Sequence, residues 1–302
     1  MDQAGEALLE LGRALAAADY HFVTPTPETH RRVFERRTVA RDVRDVFGWS
    51  RPFEKRLLPV RWLELLDGAE MLQSYGPLLR SKVRFSTLER ALFMHSAYPT
   101  DAGDSVFFGP DTYRFCAFLA RGAPPSARVI DIGCGSGAGG LIAARAAGAR
   151  ELVLVDVNQR ALRFAEVNVQ LAGQRARLAE SDVLRGVDGA FDLIVANPPY
   201  MRDHAQRAYR DGGGEHGEAL SVRIAREALQ RLAPGGTLML YTGAAIVDGD
   251  DVFRRALLPH LSGWDFTYEE LDPDVFGEEL EQPGYEDVER IAAIGLSVRK
   301  HA

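Results

Sequence analysis

Two cysteines in 302 residues are too few for a disulfide framework, and one of them, Cys134, stands inside a glycine-rich turn. This excludes a small secreted scaffold and points to a reducing cytoplasm. The seven histidines are scattered and show no zinc-ligand spacing, so no metal site is expected. No apolar run approaches the roughly 18 residues of a membrane span. The N-terminal stretch MDQAGEALLELGRALAAADY lacks the basic region and the cleavage site of a signal peptide. Repeats and low-complexity tracts are also missing. Positive charge is in deficit, with 36 Lys and Arg against 43 Asp and Glu, and a net charge of −7 gives no global attraction to nucleic acid.

What is present is an ordinary globular composition, 46% hydrophobic and 26% charged, in a chain long enough for two domains. Charge is unevenly placed. Residues 31–61 hold ten Arg or Lys against four acids, and residues 265–289 hold eleven acids with no Lys or Arg. Such asymmetry can mark a partner surface, although most charge runs are solvated faces. Pairs such as Arg31 with Glu35 and Arg41 with Asp45 stand at i,i+4, where they offset part of the basic face.

The first hundred residues read as mainly helical. Leu8, Leu11 and Leu15 line one side of a helix over 4–18. Thr26 is placed to cap a second helix with Pro27 at its first position. That helix is expected to run on through Val39, Val43, Val46 and Phe47, with arginines opposite, and another is expected over 60–75. The stretches LLRSKVRF, RALFMHS and SVFFG, from residue 78 onward, read as short strands. From about residue 128 strands and helices alternate. RVIDIG, ELVLVDV, ARLAESDV, FDLIVA and TLMLYTG are the strands, with helices between them closed by turns such as Gly173 and PGG. A helix over 250–260 and strands near 264–271 and 290–299 follow. The expected fold is α/β, a doubly wound, seven-stranded, mostly parallel sheet, with the last strand inserted antiparallel. The expected division is an N-terminal substrate-recognition domain over 1–104, helical with short strands, and an α/β domain over 105–302.

In such a sheet a ligand binds at the carboxyl ends of the strands, where strand order reverses. Gly133, Gly135 and Gly137 make a turn at the end of the first strand and let backbone approach a ligand closely. Asp131 puts a carboxylate beside that turn, which suits an amino group better than a pyrophosphate. Asp156 ends the second strand, where it can accept both hydroxyls of a ribose, and Asp182 at the end of the third is placed to accept from an adenine amino group. Each aspartate alone could be a loop cap. Together with the glycines they suit a cation that carries a ribose and an adenine.

VIDIGCGSGAGG, LVLVDVNQRAL, ESDV and DLIVANPPY together resemble the motifs of class I S-adenosylmethionine-dependent methyltransferases. NPPY followed by DGGGEHGEAL and LAPGGTLML is most similar to the glutamine N5-methyltransferases that act on peptide release factors, over roughly residues 105–300. NPPY-like tetrapeptides also occur in adenine N6- and guanine N2-methyltransferases. The resemblance implies S-adenosylmethionine as cofactor, with Cys134, Ser136, Asn158, Val183 and Asn197 joining the glycines and aspartates around it. FFGPDTYRFCAFLA is similar to that family's segment bordering the cofactor. The chain departs from the family in a longer N-terminal portion, and in LYTG, where a glutamate is usual at the tyrosine position.

NPPY itself has a physical reading. Pro198 and Pro199 end the strand and stiffen the backbone. Asn197 Oδ1 and the Pro198 carbonyl can grip the two N–H bonds of a planar amino group, turning its delocalised lone pair toward an activated methyl. Tyr200 can lie against the flat amide or base. The task is orientation, and no strong general base is needed. His204 and His216 read as solvent or substrate-loop residues. A protein glutamine is the expected acceptor, with an RNA or DNA base as the alternative.

Overall fold

A computed structural model describes residues 1–203 and 210–301. The described chain divides into two compact units, Met1–Arg114 with Gly135–Ala138 and Gln159–Ala176, and the remainder.

In the first unit α1 (Gln3–Ala17) starts where the Asp2 carboxylate accepts the Gly5 N–H at 2.8 Å. It buries Leu8, Leu11 and Leu15, as the leucine spacing requires. Helix α2 (Pro27–Glu35) is capped by Thr26, which accepts from the Thr29 N–H. The expected continuation to Phe47 does not form. The chain leaves the helix after Glu35, Val39 is 37% exposed, and a separate α3 (Val43–Phe47) begins at its own cap, Asp42. The break serves Asp45, a buried carboxylate that gathers the Arg37 and Arg51 side chains and the Arg41 N–H at 2.8 Å. In a continuous helix Arg37 would stand about 12 Å along the axis from Asp45, out of reach. The Arg31–Glu35 pair forms at 2.6 Å, whereas Arg41 reaches Asp45 through its backbone and not as the expected side-chain pair.

Helix α4 (Val60–Gly68) is shorter than expected, because Glu70 turns left-handed at φ 58° and starts a hairpin. Its strands are β1 (Leu72–Tyr75) and β2 (Leu78–Ser81), turned by Gly76 at φ 57°. LLRSKVRF is therefore split. Its second half begins β3 (Val83–Leu88), which pairs with β4 (Ala91–Ser96) in a second hairpin. SVFFG adds no strand. The unit's core joins Leu11, Phe47, Leu66, Phe85 and Met94 with Phe164.

Next along the chain come α5 (Pro110–Gly122), β5 (Arg128–Ile132), α6 (Ala138–Ala147), β6 (Glu151–Asp156), α7 (Gln159–Leu171) and β7 (Arg177–Glu180). They are followed by β8 (Phe191–Ala196), α8 (Ala219–Arg231), β9 (Leu232–Val247), β10 (Asp250–Asp251), α9 (Val252–Leu257), β11 (Asp265–Asp272) and β12 (Val288–Arg299). The large sheet of the second unit has the order β11-β12-β9-β8-β5-β6-β7. Strands β5 to β9 are mutually parallel, and β12 is inserted antiparallel between β9 and β11, as the missing helix before it predicts. The PGG turn is absorbed as a register shift at the start of β9. Ile130, Val153, Phe191, Ile194, Leu240 and Leu296 lie in one buried cluster, so the central strands read as unbroken apolar runs. Strand order reverses between β5 and β8, which puts the ends of these two strands at the switch point.

Candidate active site

Asp131 lies near the end of β5 and is 2% exposed. Its Oδ2 accepts the Gly140 N–H in the first turn of α6, at 2.7 Å. Burial first, then the neighbouring Asp156 charge, push its pKa up to about 7, against the pull of that hydrogen bond. Gly133, Gly135 and Gly137 follow with φ of 66°, 52° and 79°, so left-handed backbone dictates glycine at all three. A Cβ at Gly133 or Gly135 would meet no protein atom within 4 Å, which leaves room beside the turn. Cys134 is buried, donates its N–H to Val155 O at 2.9 Å, and has its thiol pKa pushed up by burial. In the first unit Asn168 of α7 donates to the Ser136 carbonyl at 2.8 Å and to Met94 O at 2.9 Å, while accepting from the Met94 N–H. The sequence offers no signal for Asn168 beyond a polar residue on an apolar helix face.

Asp156 ends β6, and its Oδ1 accepts the Asn158 N–H at 2.9 Å. Asp182 follows β7. Its Oδ2 takes Arg223 at 2.7 Å and Arg185 at 2.9 Å, and the Arg223 bond above all holds the carboxyl below the usual range. Both contacts fall on Oδ2. Val183 is buried and left-handed at φ 55°, unusual for a β-branched residue, with its carbonyl held by the Ser181 hydroxyl at 2.9 Å. Tyr113, in the PDTYR stretch, accepts the Thr24 N–H and donates to Thr87 O, each at 3.2 Å.

Asn197, Pro198, Pro199 and Tyr200 leave the end of β8, with Pro198 buried and Tyr200 7% exposed. Two glycines of DGGGEHGEAL explain themselves here. A Cβ on Gly217 would collide with the Tyr200 carbonyl, and one on Gly212 with the carbonyls of Pro199 and Gly217. The glycine of LYTG has a similar cause, since a Cβ on Gly243 would strike the Tyr200 ring. The tetrapeptide is thus pressed between bare backbones on two sides. His204 lies outside the described residues. His216 is not a solvent residue: it is 8% exposed, and its Nε2 stands 3.0 Å from Asp287 Oδ2. Among the described residues no cluster of His, Cys, Asp or Glu could hold a metal ion, and no helix is long and apolar enough to cross a membrane.

Residues 116–246 match the family model of the methyltransferase small domain. The segment is similar to a methyltransferase small domain. The chain is 32% identical over 163 residues to a release factor glutamine methyltransferase of Deinococcus radiodurans, covering 50% of this chain and 55% of that one. It is 37% identical to a ribosomal RNA small subunit methyltransferase C of Chromohalobacter salexigens, over 41% of this chain and 34% of that protein. The chain thus spans about half or less of these two relatives. Solved structures agree on the fold. Trm5b of Pyrococcus abyssi superposes with a TM-score of 0.52 at 13% identity, over 76% of this chain and 62% of its own. TYW2 of M. jannaschii, solved in complex with AdoMet, gives 0.51 at 12% identity, over 76% and 91%. The matched segment contains strands β5 to β8, most of β9, the glycine turn and residues 197–200.

Proposed function

We propose that this chain transfers a methyl group from S-adenosylmethionine to the side-chain amide nitrogen of a protein glutamine, with a release factor as the acceptor class. In this reading residues 1–104 choose the macromolecule and residues 105–302 carry the chemistry. The residues present fit the cofactor. Asp131 is a buried carboxyl with no cationic partner among the described residues, which suits an ammonium. Asp156 is placed for the ribose hydroxyls, and Asp182 Oδ1 is the oxygen left for an adenine amino group. The glycine turn, with Cys134 and Ser136, and the flanking Asn158 and Val183 complete the surroundings. When bound, the cofactor supplies a methyl on a cationic sulfur, open to displacement by a nucleophile in line with it.

The protein's task is to aim a poor nucleophile. An amide lone pair is delocalised, and Asn197 Oδ1 with the Pro198 carbonyl accept the two N–H bonds so that the nitrogen faces the methyl. Methylation would leave the acceptor nitrogen cationic, and that nitrogen would then lose a proton to water, so Asn197 and Pro198 need only orient it. The observation that supports this reading is the seat of NPPY: a corner at the end of β8, closely backed by Gly212, Gly217 and Gly243. A second reading, methylation of a nucleic-acid base, draws on the ribosomal RNA relative. The basic segment argues against it, because Arg31, Arg37, Arg51, Arg56 and Arg61 are each paired with a carboxylate of their own unit. Tritiated methyl transfer into a cell lysate, split by protease and nuclease, tests the choice. Protease-sensitive label in a release factor is the expected result, and nuclease-sensitive label overturns it.

A further inference from the structure

Val83 and Phe85 of β3 and Met94 of β4 face the core of the first unit, so alternation turns Arg84, Ser86 and His95 to the opposite face of that hairpin. This second face is closed as well, and Arg84 is 4% exposed. Its Nη2 donates to Thr24 Oγ1 at 2.9 Å, its Cζ stands 5.8 Å from the Phe22 ring centroid, and its Nε has no hydrogen-bond partner. Thr24 brings a lone pair but no charge. His95, kept neutral by burial and by the Arg84 charge, donates from Nδ1 to Ser96 O at 3.2 Å. Its Nε2 therefore accepts from the Ser86 hydroxyl, which in turn accepts from Thr24. Burial draws the Arg84 pKa down to about 10, opposed by the Tyr20, Tyr113 and Tyr98 hydroxyls and by no carboxylate among the described residues. The neighbours add positive charge. Burial, then Arg84, with smaller pushes from Arg51 and Arg80, pulls the His30 pKa down to about 3 against its bond to Trp49 O. Arg51 has Asp45 as its counter-charge, and the half-buried Arg80 donates to the carbonyls of Ser50 and Tyr98. One deeply buried positive charge is left unmatched.

We propose that this face of the β3–β4 hairpin is a carboxylate-binding site, in which Arg84 binds the carboxylate through Nε. The site is independent of the methyl acceptor proposed above. A buried guanidinium loses its hydration, and one ring face with one hydroxyl offsets only part of that loss. A carboxylate supplies both the missing charge and acceptor lone pairs for the planar donor edge. The size of the mismatch selects the ligand class. A monoanion closes a single excess charge, whereas a phosphate dianion would leave the face negative. The cluster lies close beneath the surface. Tyr98, whose hydroxyl acts on Arg84, is half-buried, packs on the His30 ring with centroids 4.0 Å apart, and is followed by the exposed Pro99. Tyr98 and Arg80 thus form the rim past which the carboxylate enters.

Two measurements on the full chain test the site, at neutral pH and constant ionic strength with sodium acetate replacing chloride. The first follows the nitrogen-15 signal of the Arg84 Nε–H, identified by its loss in Arg84→Met or Arg84→Lys. It should shift saturably in the wild type, with a half-point below about 100 mM acetate. The second is the thermal midpoint. The wild-type value should climb with the logarithm of acetate concentration, while Arg84→Met gains about a third as much or less. In chloride alone Arg84→Met should melt at or above the wild type, because an unmatched buried cation has been removed. A blocked glutamate (N-acetyl, α-amide) and its glutamine counterpart then separate the sources. If the blocked glutamate binds about tenfold tighter than acetate, the carboxylate comes from a protein side chain; if it binds no tighter, from a free acid. An Nε signal that ignores acetate, an equal midpoint gain in both proteins, or saturable binding of the blocked glutamine overturns the site. Inorganic phosphate that binds about tenfold tighter than acetate overturns the ligand class. An Arg84→Met protein that melts well below the wild type in chloride overturns the unmatched charge on which the site rests.

Discussion

Asp131→Asn isolates the charge of the most deeply buried acid at the glycine turn. The substituted amide keeps an oxygen that can accept the Gly140 N–H, so ionisation is the property removed. In the unfolded chain an aspartate ionises near 3.9, roughly. In the folded chain burial holds its proton on up to about pH 7. Between these values the folded state binds more protons than the unfolded state, so stability falls as pH rises, by about 1.4 kcal/mol per unit. Above pH 7 both states are ionised and the loss levels off. From pH 5 to pH 8 the wild type should therefore lose roughly 3 kcal/mol through this one group, a loss that the variant escapes. Urea unfolding of both proteins without cofactor, at constant ionic strength from pH 5 to 8.5, measures the difference. A constant gap between variant and wild type across that range would refute the argument. The same carboxyl makes a second forecast. If it must be ionised to take the cofactor's ammonium, wild-type affinity for S-adenosylmethionine should rise about tenfold from pH 6 to 8. The variant's weaker affinity should stay flat.

Asn197→Ala should lower methyl transfer far more than it weakens cofactor binding, as kinetics and calorimetry would show; turnover within about threefold of wild type, roughly 0.7 kcal/mol of barrier, would remove the nitrogen-orienting role. Gly243→Ala should displace the Tyr200 ring, costing about 1–3 kcal/mol by overpacking, and Tyr200→Ala in the same chain should recover most of that stability in a denaturant titration. Asp45→Asn should destabilise by about 3–5 kcal/mol at pH 7, because the buried Arg51 guanidinium loses its counter-charge. Although burial raises the Asp45 pKa, bonds from the Arg41 N–H, Arg37 and Arg51 hold it below the usual range. The gap should thus be full above the ordinary carboxylate pKa and close as pH falls through the lowered one.

The sequence by itself determined the α/β domain, its strand order in the chain, the glycine turn and NPPY. It could do so because these features rest on local rules. Central parallel strands are continuous apolar runs, left-handed turns demand glycine, and paired prolines stop a strand whatever surrounds them. The antiparallel insertion of β12 was legible for the same reason, since no helix stands before it. Only the tertiary structure decided the rest. The break between α2 and α3 follows from Asp45 collecting Arg37 and Arg51, partners 8 and 6 residues away that helical periodicity cannot register. The glycines at 212, 217 and 243 look like loop punctuation in the sequence, and become necessary only when the Pro199 and Tyr200 carbonyls and the Tyr200 ring are brought against them. Asn168 gains its purpose from a carbonyl 32 residues away. The acidic connection is a further case, for no pattern within 273–287 announces that Gly284, Glu279 and Asp287 will meet Arg202, Arg210 and His216. Contacts between distant segments carry no period, so they stay silent until the chain is folded.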